Sequence, residues 1–414
     1  MADPLRGDLI VVGGGPAGLC AATVAAEAGL VVHVLDESPR PGGRLLGQLH
    51  QKPGPSSSWW NGIEVAARLV DNAVAAGVQL HPRTSVWDLQ PGFHAFAEQD
   101  GAQCRVSAPS VLIATGAAEE PVPVPGWELP GVMSIGGAQV VTNVHRVRPG
   151  RRAVVVGLNV LSVAIARELE LAGVEVVALV LPPSGVVSGE RSVPSHVVRQ
   201  LLGLAHLAPS PLLRTFGPLV ASLGLEGLAT RLFPRRGIPL WGIPIQPTVS
   251  ALRIEGETHV TGIDVAHVAA DGRVIDGTTR RVDVDLVCIA GGLYPLIELA
   301  NAAGCVLYHD DDLGGHVPLH DARYRSSVKG IYVAGNAIGV EGAEVAMAQG
   351  RAVGYAIAAD ATDDPVLVER FAEAEAAVES TRRTADIRFI PTISRGRASV
   401  RSAWQRYRGE GERT

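Results

Sequence analysis

A strand–turn–helix–strand pattern near the N-terminus restricts the fold of this chain more than any other feature. Residues 9–37 combine a buried strand, a glycine turn, an alanine-rich helix and a second buried strand that ends in acidic residues. Gly13 and Gly18 allow the tight turn and the close packing of the helix on the strand, and Gly15 lets the backbone approach a pyrophosphate. Asp36 lies where a carboxylate accepts hydrogen bonds from a ribose diol. The pattern predicts a βαβ dinucleotide-binding unit.

Residues beside this turn favour FAD over NAD as the dinucleotide. The turn contains a Pro-Ala insert, and the segment Pro-Gly-Gly-Arg at 41–44 follows the second strand. Both resemble the entry motif and the P-G-G loop of the glutathione-reductase-like flavoprotein superfamily. The helix N-terminus would face the phosphates, because its free amides and its dipole favour anions. The residues that these motifs add to the expected FAD site are Pro16, Ala17, Glu37, Gly43 and Arg44.

Two later segments are similar to further parts of the FAD site in the same superfamily. Residues 111–116 (VLIATG) resemble the strand that passes the flavin diphosphate, and residues 331–336 (IYVAGN) resemble the closing strand. The closing strand normally ends in an Asp that hydrogen-bonds the ribityl chain. Asn336 stands there instead, and its amide can donate and accept but carries no charge. The resemblance also implies a backbone contact between the adenine and Val86, and a helix from about Ala343 whose amides face the flavin pyrimidine edge. The further FAD contacts expected are Val86, Ala114, Thr115, Gly116, Gly335, Asn336, Glu344 and Val345.

A second βαβ pattern begins at Arg152, but its turn is altered. Gly157, Asn159 and Ser162 occupy the positions of the three glycines. Val180 stands where NAD would require a carboxylate and NADP a nearby Arg. Three interpretations remain: a working NAD(P)H site, a structural domain that keeps the fold alone, or a site for another adenine nucleotide such as ATP or AMP.

The motifs predict an α/β chain with two Rossmann-like dinucleotide-binding domains of the glutathione-reductase-like FAD/NAD(P) type, the second inserted in the first. Residues 1–117 and 280–362 are expected to form the FAD-binding domain, residues 118–279 the NAD(P)-binding-like domain, and residues 363–414 a C-terminal helix and an Arg-rich tail. A chain of 414 residues is also too long for one compact core. We expect the tail either to dock on another subunit or to remain solvated.

Charge and cysteine spacing exclude several classes of function. A net charge of −6 argues against a nucleic-acid-binding protein, which needs clustered Lys and Arg. The four cysteines include no C-x-x-C pair, so this chain alone forms neither a thioredoxin-reductase-type dithiol nor a Cys-ligated iron–sulfur cluster. The apolar run 9–12 is too short for a membrane span or a signal-peptide core. We expect a cytoplasmic protein without a membrane span or a bound metal.

Several longer segments carry a more specific family resemblance. Residues 114–117 (ATGA), 123–133 (PVPGWELPGVM) and 136–139 (GGAQ) resemble the run ATGA…PGWxLPGVM…GAQ. This run is typical of the FAD-binding alpha subunits of opine oxidases, hydrogen cyanide synthase, and hydroxyproline, proline and sarcosine-type dehydrogenases. The segments 290–295, 298–300 and 342–351 agree with it, and the resemblance covers most of the chain up to about residue 380.

The resemblance implies a heteromeric complex that acts on amino acids, imino acids or opines. In such families a separate beta subunit, similar to FAD-dependent amino-acid oxidases, oxidises the C–N bond, and the alpha subunit relays the electrons. The resemblance allows for an FMN where the subunits meet and for electron exit through an iron–sulfur centre. Many alpha subunits carry that cluster in a C-terminal Cys-rich extension, but no Cys follows Cys305 here. Either a separate small [2Fe-2S] subunit takes this role, or the complex passes electrons differently.

Three functions therefore stay open from the sequence. The first is the electron-relaying alpha subunit, for which no catalytic residue is expected on this chain, because its histidines belong to no catalytic motif. The second is a free-standing NAD(P)H-dependent flavoprotein reductase that serves a ferredoxin or an oxygenase; the altered turn at Gly157 counts against it. The third is a non-catalytic scaffold that keeps FAD only to stabilise an assembly.

Overall fold

The computed structural model describes residues 5–51, 58–90, 92–203, 230, 233–234, 236–385 and 388–411. Within this part of the chain the strands are Leu5–Arg6 (β1), Leu9–Val12 (β2), Val32–Leu35 (β3), Leu49–Gln51 (β4), Trp59–Asn61 (β5), Gln79–His81 (β6), Thr84–Gln90 (β7), His94–Gln99 (β8), Ala102–Ser107 (β9), Ser110–Ile113 (β10), Ala117–Glu119 (β11), Val132–Ser134 (β12), Arg152–Val156 (β13), Glu175–Leu181 (β14), Ile238–Leu240 (β15), Ile243–Gly256 (β16), Val260–His267 (β17), Arg280–Val282 (β18), Leu286–Ile289 (β19), Leu293–Pro295 (β20), Leu307–Asp310 (β21), Gly315–Pro318 (β22) and Ile331–Val333 (β23).

The described α-helices are Pro16–Glu27 (α1), Gly62–Ala75 (α2), Ile135–Asn143 (α3), Val160–Leu171 (α4), Pro194–Gly203 (α5), Glu298–Ala302 (α6), Ala343–Thr362 (α7), Pro365–Thr384 (α8) and Ile393–Gly411 (α9). None of these helices has both the length and the apolarity that crossing a membrane requires.

The chain divides into two compact units, and their boundaries differ from the predicted ones. Unit 1 comprises Met1–Leu46, Asn61–Ala118 and Leu293–Thr414, and unit 2 comprises Gly47–Trp60 and Glu119–Gly292. Residues 280–292 therefore lie in unit 2 rather than in the first domain, because β19 pairs with β12 and β13 inside the second sheet. Residues 363–414 belong to unit 1 instead of forming a separate segment, since α8 packs along α7.

A parallel sheet of five strands, in the order β23-β10-β2-β3-β6, forms the centre of unit 1. Its short strands are continuous runs of apolar, often β-branched residues, as expected where helices cover both faces of a parallel sheet. The register pairs Val12 with both Leu35 and Ile113, and Ile113 with Val333. Four strands thus end at one level, and the residues that follow them meet at one edge of the sheet.

Helix α1 packs against α7 on this sheet, and two glycines let them approach closely. A Cβ at Gly354 would stand 2.8 Å from the carbonyl oxygen of Ala21, and a Cβ at Gly350 would overlap that of Ala17. The backbones of the two helices therefore approach each other closely at Gly350 and Gly354.

A second sheet, in the order β12-β19-β13-β14-β16-β17-β18, forms the centre of unit 2. The strands from β12 to β16 run parallel, and β17 and β18 continue the sheet antiparallel. Apolar clusters cover both faces of the parallel part, with Val155 and Cys288 in one and Val154 and Val287 in the other. Alternation along β13 and β19 places these neighbours on opposite faces.

The C-terminal segment is packed on unit 1 to a greater extent than the predicted Arg-rich tail would be. Helix α9 packs on the segment 311–319 of unit 1 through Ile393, Val400 and Ala403. The side chains of Arg382, Arg395 and Arg397 form ion pairs within this chain. The segment is therefore neither a solvated tail nor wholly available to another subunit. Among the other arginines, Arg401 and Arg406 are exposed, whereas Arg413 lies outside the described residues.

Candidate functional site

The predicted FAD residues come from separate parts of the chain but meet at one edge of the sheet of unit 1. Gly13, Asp36, Ala114 and Ala334 each follow directly after a strand that ends at this edge. Backbone hydrogen bonds join three of these residues to the end of the neighbouring strand. Gly13 N–H donates to Leu35 O at 2.9 Å, Ala114 N–H to Val12 O at 2.8 Å, and Ala334 N–H to Ile113 O at 3.1 Å. The carboxyl edge of an open parallel sheet is where ligands bind in such folds.

The three glycines of the first turn have different roles. Gly13 has φ +103°, and a Cβ there would overlap the carbonyl oxygen of Ala114. A Cβ at Gly18 would in turn overlap the carbonyl oxygen of Gly13. Gly15 has φ −77°, which any residue adopts, and a Cβ there would meet nothing within 4 Å. The folded protein therefore requires glycine at 13 and 18, whereas the absence of a side chain at Gly15 leaves space for a ligand.

The N-terminus of α1 lacks a cap from its own side chains. Gly15 is the N-cap residue, Pro16 opens the helix, and no side chain accepts a hydrogen bond from the first turn. Ala17 and Gly18 are buried in this first turn. Uncapped first-turn amides and the positive end of the helix dipole together favour an anionic group such as a diphosphate.

Asp36 joins the end of β3 to the glycine turn. Its Oδ2 accepts the Gly14 N–H at 2.5 Å, its Oδ1 accepts the Ser38 N–H at 2.8 Å, and the residue is 7% exposed. A carboxylate has about four acceptor positions, so acceptor capacity remains for a diol. Glu37, predicted beside it, is exposed.

The Pro-Gly-Gly-Arg segment packs against the same turn. Gly42 N–H donates to Gly14 O at 2.7 Å, and a Cβ at Gly43 would stand 3.0 Å from the Gly15 Cα. The Arg44 Nε donates to Ala117 O at 3.1 Å. Gly43 and Arg44 thus connect the first turn with the end of the segment that contains Ala114.

Thr115 and Gly116 form a small junction with the chain after β20. Thr115 Oγ1 donates to Leu296 O at 2.8 Å, and Leu296 N–H donates to Gly116 O at 3.0 Å.

Val86 lies on β7, whose first residue, Thr84, donates its N–H to Asp36 O at 2.8 Å. In the described sheet β7 is an edge strand, so one side of its backbone near Val86 has no neighbouring strand.

The loop between β23 and α7 closes the site over α1. A Cβ at Gly335 would stand 2.9 Å from the Ala17 Cβ, so this loop lies directly on the first turn of the helix. Asn336 Oδ1 accepts the Glu341 N–H at 3.0 Å. This bond uses the amide oxygen of Asn336 and leaves its N–H groups as donors for a ligand oxygen. Glu344 and Val345 lie in the first turn of α7, which also lacks a side-chain cap.

The second turn, in unit 2, is closed by its own side chains. Gly157 has φ +115°, and a Cβ there would overlap Ala290 O, so this glycine repeats the role of Gly13. Asn159 Oδ1 accepts the Ser162 N–H at 2.9 Å, and Ser162 Oγ accepts the Asn159 N–H at 2.9 Å. This reciprocal capping box satisfies amides that a phosphate would otherwise bind. Val180 is buried and no carboxylate replaces it at the end of β14.

An ion pair lies beside this second turn. Arg191 NH2 donates to Glu120 Oε1 at 2.7 Å, and Arg191 NH1 donates to the Gly291 carbonyl oxygen. Gly291 follows the end of β19 by two residues. Arg191 is therefore already committed to a carboxylate and a carbonyl within unit 2.

A buried carboxylate in unit 2 was missed from the sequence. Glu168 on α4 accepts hydrogen bonds from the Gln139 amide at 2.9 Å, the Asn143 amide at 2.6 Å and the Leu49 N–H at 3.2 Å. Burial raises the pKa of Glu168 to about 7, and the donated hydrogen bonds offset this only in part. Gln139 closes the GGAQ segment, so that motif could have indicated a buried partner, although not which one.

The thiols are poorly suited to dithiol chemistry. The four cysteines are free in the described structure. Burial raises the pKa of Cys20 to about 11 and that of Cys288 to about 12, and it also raises the pKa values of Cys104 and Cys305. Because the thiolate is the reactive form, these cysteines are largely unreactive at neutral pH.

Comparison with known proteins agrees with this architecture. Residues 7–190 and 242–350 match the model of the pyridine nucleotide-disulphide oxidoreductase family. Among solved structures, L-proline dehydrogenase from P. horikoshii superposes with a TM-score of 0.61 at 21% identity, over 90% of this chain and 60% of that one. Thioredoxin reductase from T. acidophilum superposes with a TM-score of 0.58 at 18% identity, over 86% of this chain and 98% of that one. Likeness at this level of identity shows the fold.

Curated relatives are more similar in sequence. The opine oxidase A subunit of Agrobacterium tumefaciens strain Ach5 is 30% identical in an alignment that covers 85% of this chain and 65% of the relative. The opine oxidase A subunit of Rhizobium meliloti strain 1021 is 30% identical over 85% of this chain and 71% of its own length. Hydrogen cyanide synthase subunit HcnB of Pseudomonas aeruginosa is 27% identical over 96% of this chain and 78% of its length. This chain spans slightly less than two thirds of the first of these relatives. The chain belongs to the pyridine nucleotide-disulphide oxidoreductase family, within which it is related to the A subunits of opine oxidases.

Proposed function

We propose that this chain is the FAD-containing alpha subunit of a multi-subunit dehydrogenase or oxidase for an amino acid, an imino acid or an opine. In this proposal it relays electrons from a substrate-oxidising beta subunit to an acceptor. The single observation that carries the proposal is the contrast between the open, uncapped turn at Gly15 and the self-capped turn at Asn159. One turn is suited to a dinucleotide, and the other satisfies its own amides. The names of the related subunits supply the substrate class.

FAD is the cofactor that membership in this family implies, and the first turn fits it. The fit rests on the space beside Gly15, the uncapped amides of α1, and the remaining acceptor capacity of Asp36. Bound FAD would supply two-electron redox chemistry. The residues of this chain would hold it: α1 would bind the diphosphate, Asp36 the ribose diol, and the Asn336 N–H groups a hydroxyl or phosphate oxygen.

We propose further that the second domain does not use NAD(P)H. A phosphate there would compete with Asn159 for the Ser162 N–H, and no carboxylate or free Arg marks a ribose site among the described residues of the turn. Another adenine nucleotide such as ATP or AMP would meet the same capped helix. A domain that is kept only for its packing is therefore favoured over an NAD(P)H site and over a site for another adenine nucleotide.

The partners follow from the same proposal. The chain would pair with an amino-acid-oxidase-like beta subunit, with an FMN at their junction, and electrons would leave through a small [2Fe-2S] subunit. The buried thiols with raised pKa values leave this chain without a dithiol for the exit step. Free thiols suit a reducing compartment, and we place the complex in the cytoplasm.

Anaerobic reduction of the flavin tests the proposal. The purified chain, and the same chain isolated with its co-expressed neighbouring subunits, are each mixed with NADH, NADPH and a panel of amino acids, imino acids and opines. Flavin absorbance should bleach only with a substrate of the panel and only in the complex. Rapid bleaching of the isolated chain by NADH or NADPH would replace the proposal with a free-standing reductase. No bleaching under any condition would indicate a scaffold.

A further inference from the structure

A cluster of buried charges connects the C-terminal helices with the loop that closes the candidate flavin site. Glu341 lies in the loop between β23 and α7, and its side chain is 10% exposed. Arg382 of α8 pairs with it at 2.9 Å, and Arg397 of α9 pairs with it at 2.6 Å. Both arginines are largely buried, with side-chain exposures of 9% and 17%. Charges so far from water persist only when they are paired and hydrogen-bonded.

The Glu341 carboxylate is also bonded to Gln349 of α7, which in turn bonds the loop. Gln349 Nε2 donates to Glu341 Oε2 at 3.1 Å, and Gln349 Oε1 accepts the Gly335 N–H at 3.0 Å. The Glu341 N–H donates to Asn336 Oδ1. Glu341 thus contacts Asn336 directly through its backbone and Gly335 through Gln349, and Gly335 lies over the first turn of α1.

Helix α9, which bears Arg397, is also attached to unit 1 at the segment 311–319. Arg395 of α9 pairs with Asp312 through Nε and NH2, and the apolar residues of α9 pack on Leu313 and Val317. Arg382 donates a further hydrogen bond to Glu379 on its own helix, at 2.7 Å. Helix α9 is thus held on unit 1 apart from the Arg397 pair, and α8, which bears Arg382, packs along α7.

We propose that Arg382 and Arg397 are positioning residues for the flavin, which act through Glu341 to hold the loop 335–342 in its ligand-receiving shape. The C-terminal segment is then part of the flavin site of this chain and not only a surface for partners. The inference rests on the proposed binding of FAD by unit 1. It assigns the two arginines no contact with the flavin itself.

Charge balance indicates which substitution is informative. Glu341 faces two arginines, so the loss of Arg382 or of Glu341 leaves a buried charge poorly compensated and endangers folding. Arg397 is the more exposed of the pair, and after its removal Arg382 still neutralises Glu341. Arg397→Gln therefore loosens the cluster without leaving Glu341 alone. Arg397→Lys keeps the charge but loses the forked guanidinium.

The matched control lies on the same helix. Arg395→Gln removes the ion pair between α9 and Asp312 and leaves the Glu341 cluster intact. The Arg395 side chain is 72% exposed and that of Asp312 is 15% exposed. A general loosening of α9 would affect both variants, whereas an effect transmitted through Glu341 would appear only in Arg397→Gln.

Two measurements test the inference on the full chain. Titration of the apoprotein with FAD, followed by flavin fluorescence, should give about a tenfold rise in Kd for Arg397→Gln, which corresponds to about 1.4 kcal/mol. Arg397→Lys should recover part of this affinity, and Arg395→Gln should change Kd less than about twofold. Hydrogen exchange of the apoprotein should show faster deuterium uptake in a peptide spanning 335–342 for Arg397→Gln alone.

The outcomes separate this inference from the proposed function. Wild-type FAD affinity together with unchanged exchange in Arg397→Gln would overturn the inference, and so would equal effects of Arg395→Gln. If wild-type protein took up no FAD, the proposed function would fail, while the exchange measurement on the apoprotein would still decide whether the cluster orders the loop.

Discussion

Substitution of Gly15 by alanine separates ligand binding from folding at the first turn. The backbone at Gly15 has φ −77° and ψ −175°, a conformation that alanine adopts without strain, and a Cβ would meet nothing within 4 Å. Gly→Ala at a compatible position stabilises a protein by about 0.4–1 kcal/mol, because it restricts the unfolded chain. The apoprotein should therefore keep its melting temperature or gain slightly.

Binding of FAD should respond in the opposite direction. If the Gly15 backbone lies against the diphosphate, a methyl group there prevents the approach and costs at least one charge-assisted hydrogen bond from the first turn of α1. Such a bond contributes about 1.5–3 kcal/mol. That loss corresponds to roughly a 10- to 150-fold rise in the Kd for FAD.

Thermal unfolding of the apoprotein and fluorescence titration with FAD measure the two effects. Gly185→Ala is the matched control, since Gly185 is exposed in unit 2 and a Cβ there also meets nothing within 4 Å. Gly18→Ala is the opposite control and should lower both stability and affinity, because its Cβ would overlap the Gly13 carbonyl oxygen. Unchanged FAD affinity in Gly15→Ala would refute the placement of the diphosphate at this turn.

Two further substitutions test unit 2. Burial raises the pKa of Glu168 to about 7, so the folded state keeps a proton that the unfolded state loses above its ordinary pKa of 4.5. The free energy of unfolding should therefore fall by about 3 kcal/mol as the pH rises from 4.5 to 7 and then level off. Glu168→Gln should remove this pH dependence, which thermal unfolding at several pH values measures. An equal pH dependence in both proteins would contradict the raised pKa of Glu168. Asn159→Ala removes the cap on the Ser162 N–H and should lower stability by about 0.5–2 kcal/mol without changing the Kd for FAD. Calorimetry and the same FAD titration check this, and weaker FAD binding would argue against independent roles for the two turns.

The sequence could predict the first turn because its glycines fall at a characteristic spacing within one short segment. Gly13 and Gly18 are needed because other backbone atoms lie within van der Waals distance of them. The G-x-G-x-x-G spacing predicts glycine at these close contacts. The parallel strands were also predictable, since short β-branched runs such as 9–12 and 110–113 are typical of sheets covered on both faces. Fold class therefore follows from patterns that span no more than about thirty residues.

The domain boundary could not be predicted in this way. The run 286–289 is as apolar as any strand of unit 1, and burial on both faces does not say which sheet a strand joins. Its pairing with β12 and β13 depends on neighbours more than 130 residues earlier in the chain. The placement of residues 280–292 in the first domain was wrong for this reason.

The charged clusters were unpredictable for a related reason. Glu341 meets Arg382 and Arg397 across 41 and 56 residues, and Glu168 meets Leu49 across 119. Arginine-rich segments are usually solvated or bind partners, so the sequence favoured an external role for these side chains. Only packing of α8 and α9 on unit 1 brings them to a buried carboxylate.

The two turns differ in whether their own side chains cap the helix that follows. Each turn contains a glycine of positive φ that lies against the carbonyl group of the residue after a neighbouring strand. Gly13 lies against Ala114, and Gly157 lies against Ala290. At the second turn, the side chains of Asn159 and Ser162 already bond each other's amides, so a phosphate must first break a capping box. At the first turn no side chain caps α1, so in the proposed site a diphosphate would bond those amides without displacing a side-chain cap. In the proposed relay this difference removes NAD(P)H as a source of electrons, and a second chain must then supply them.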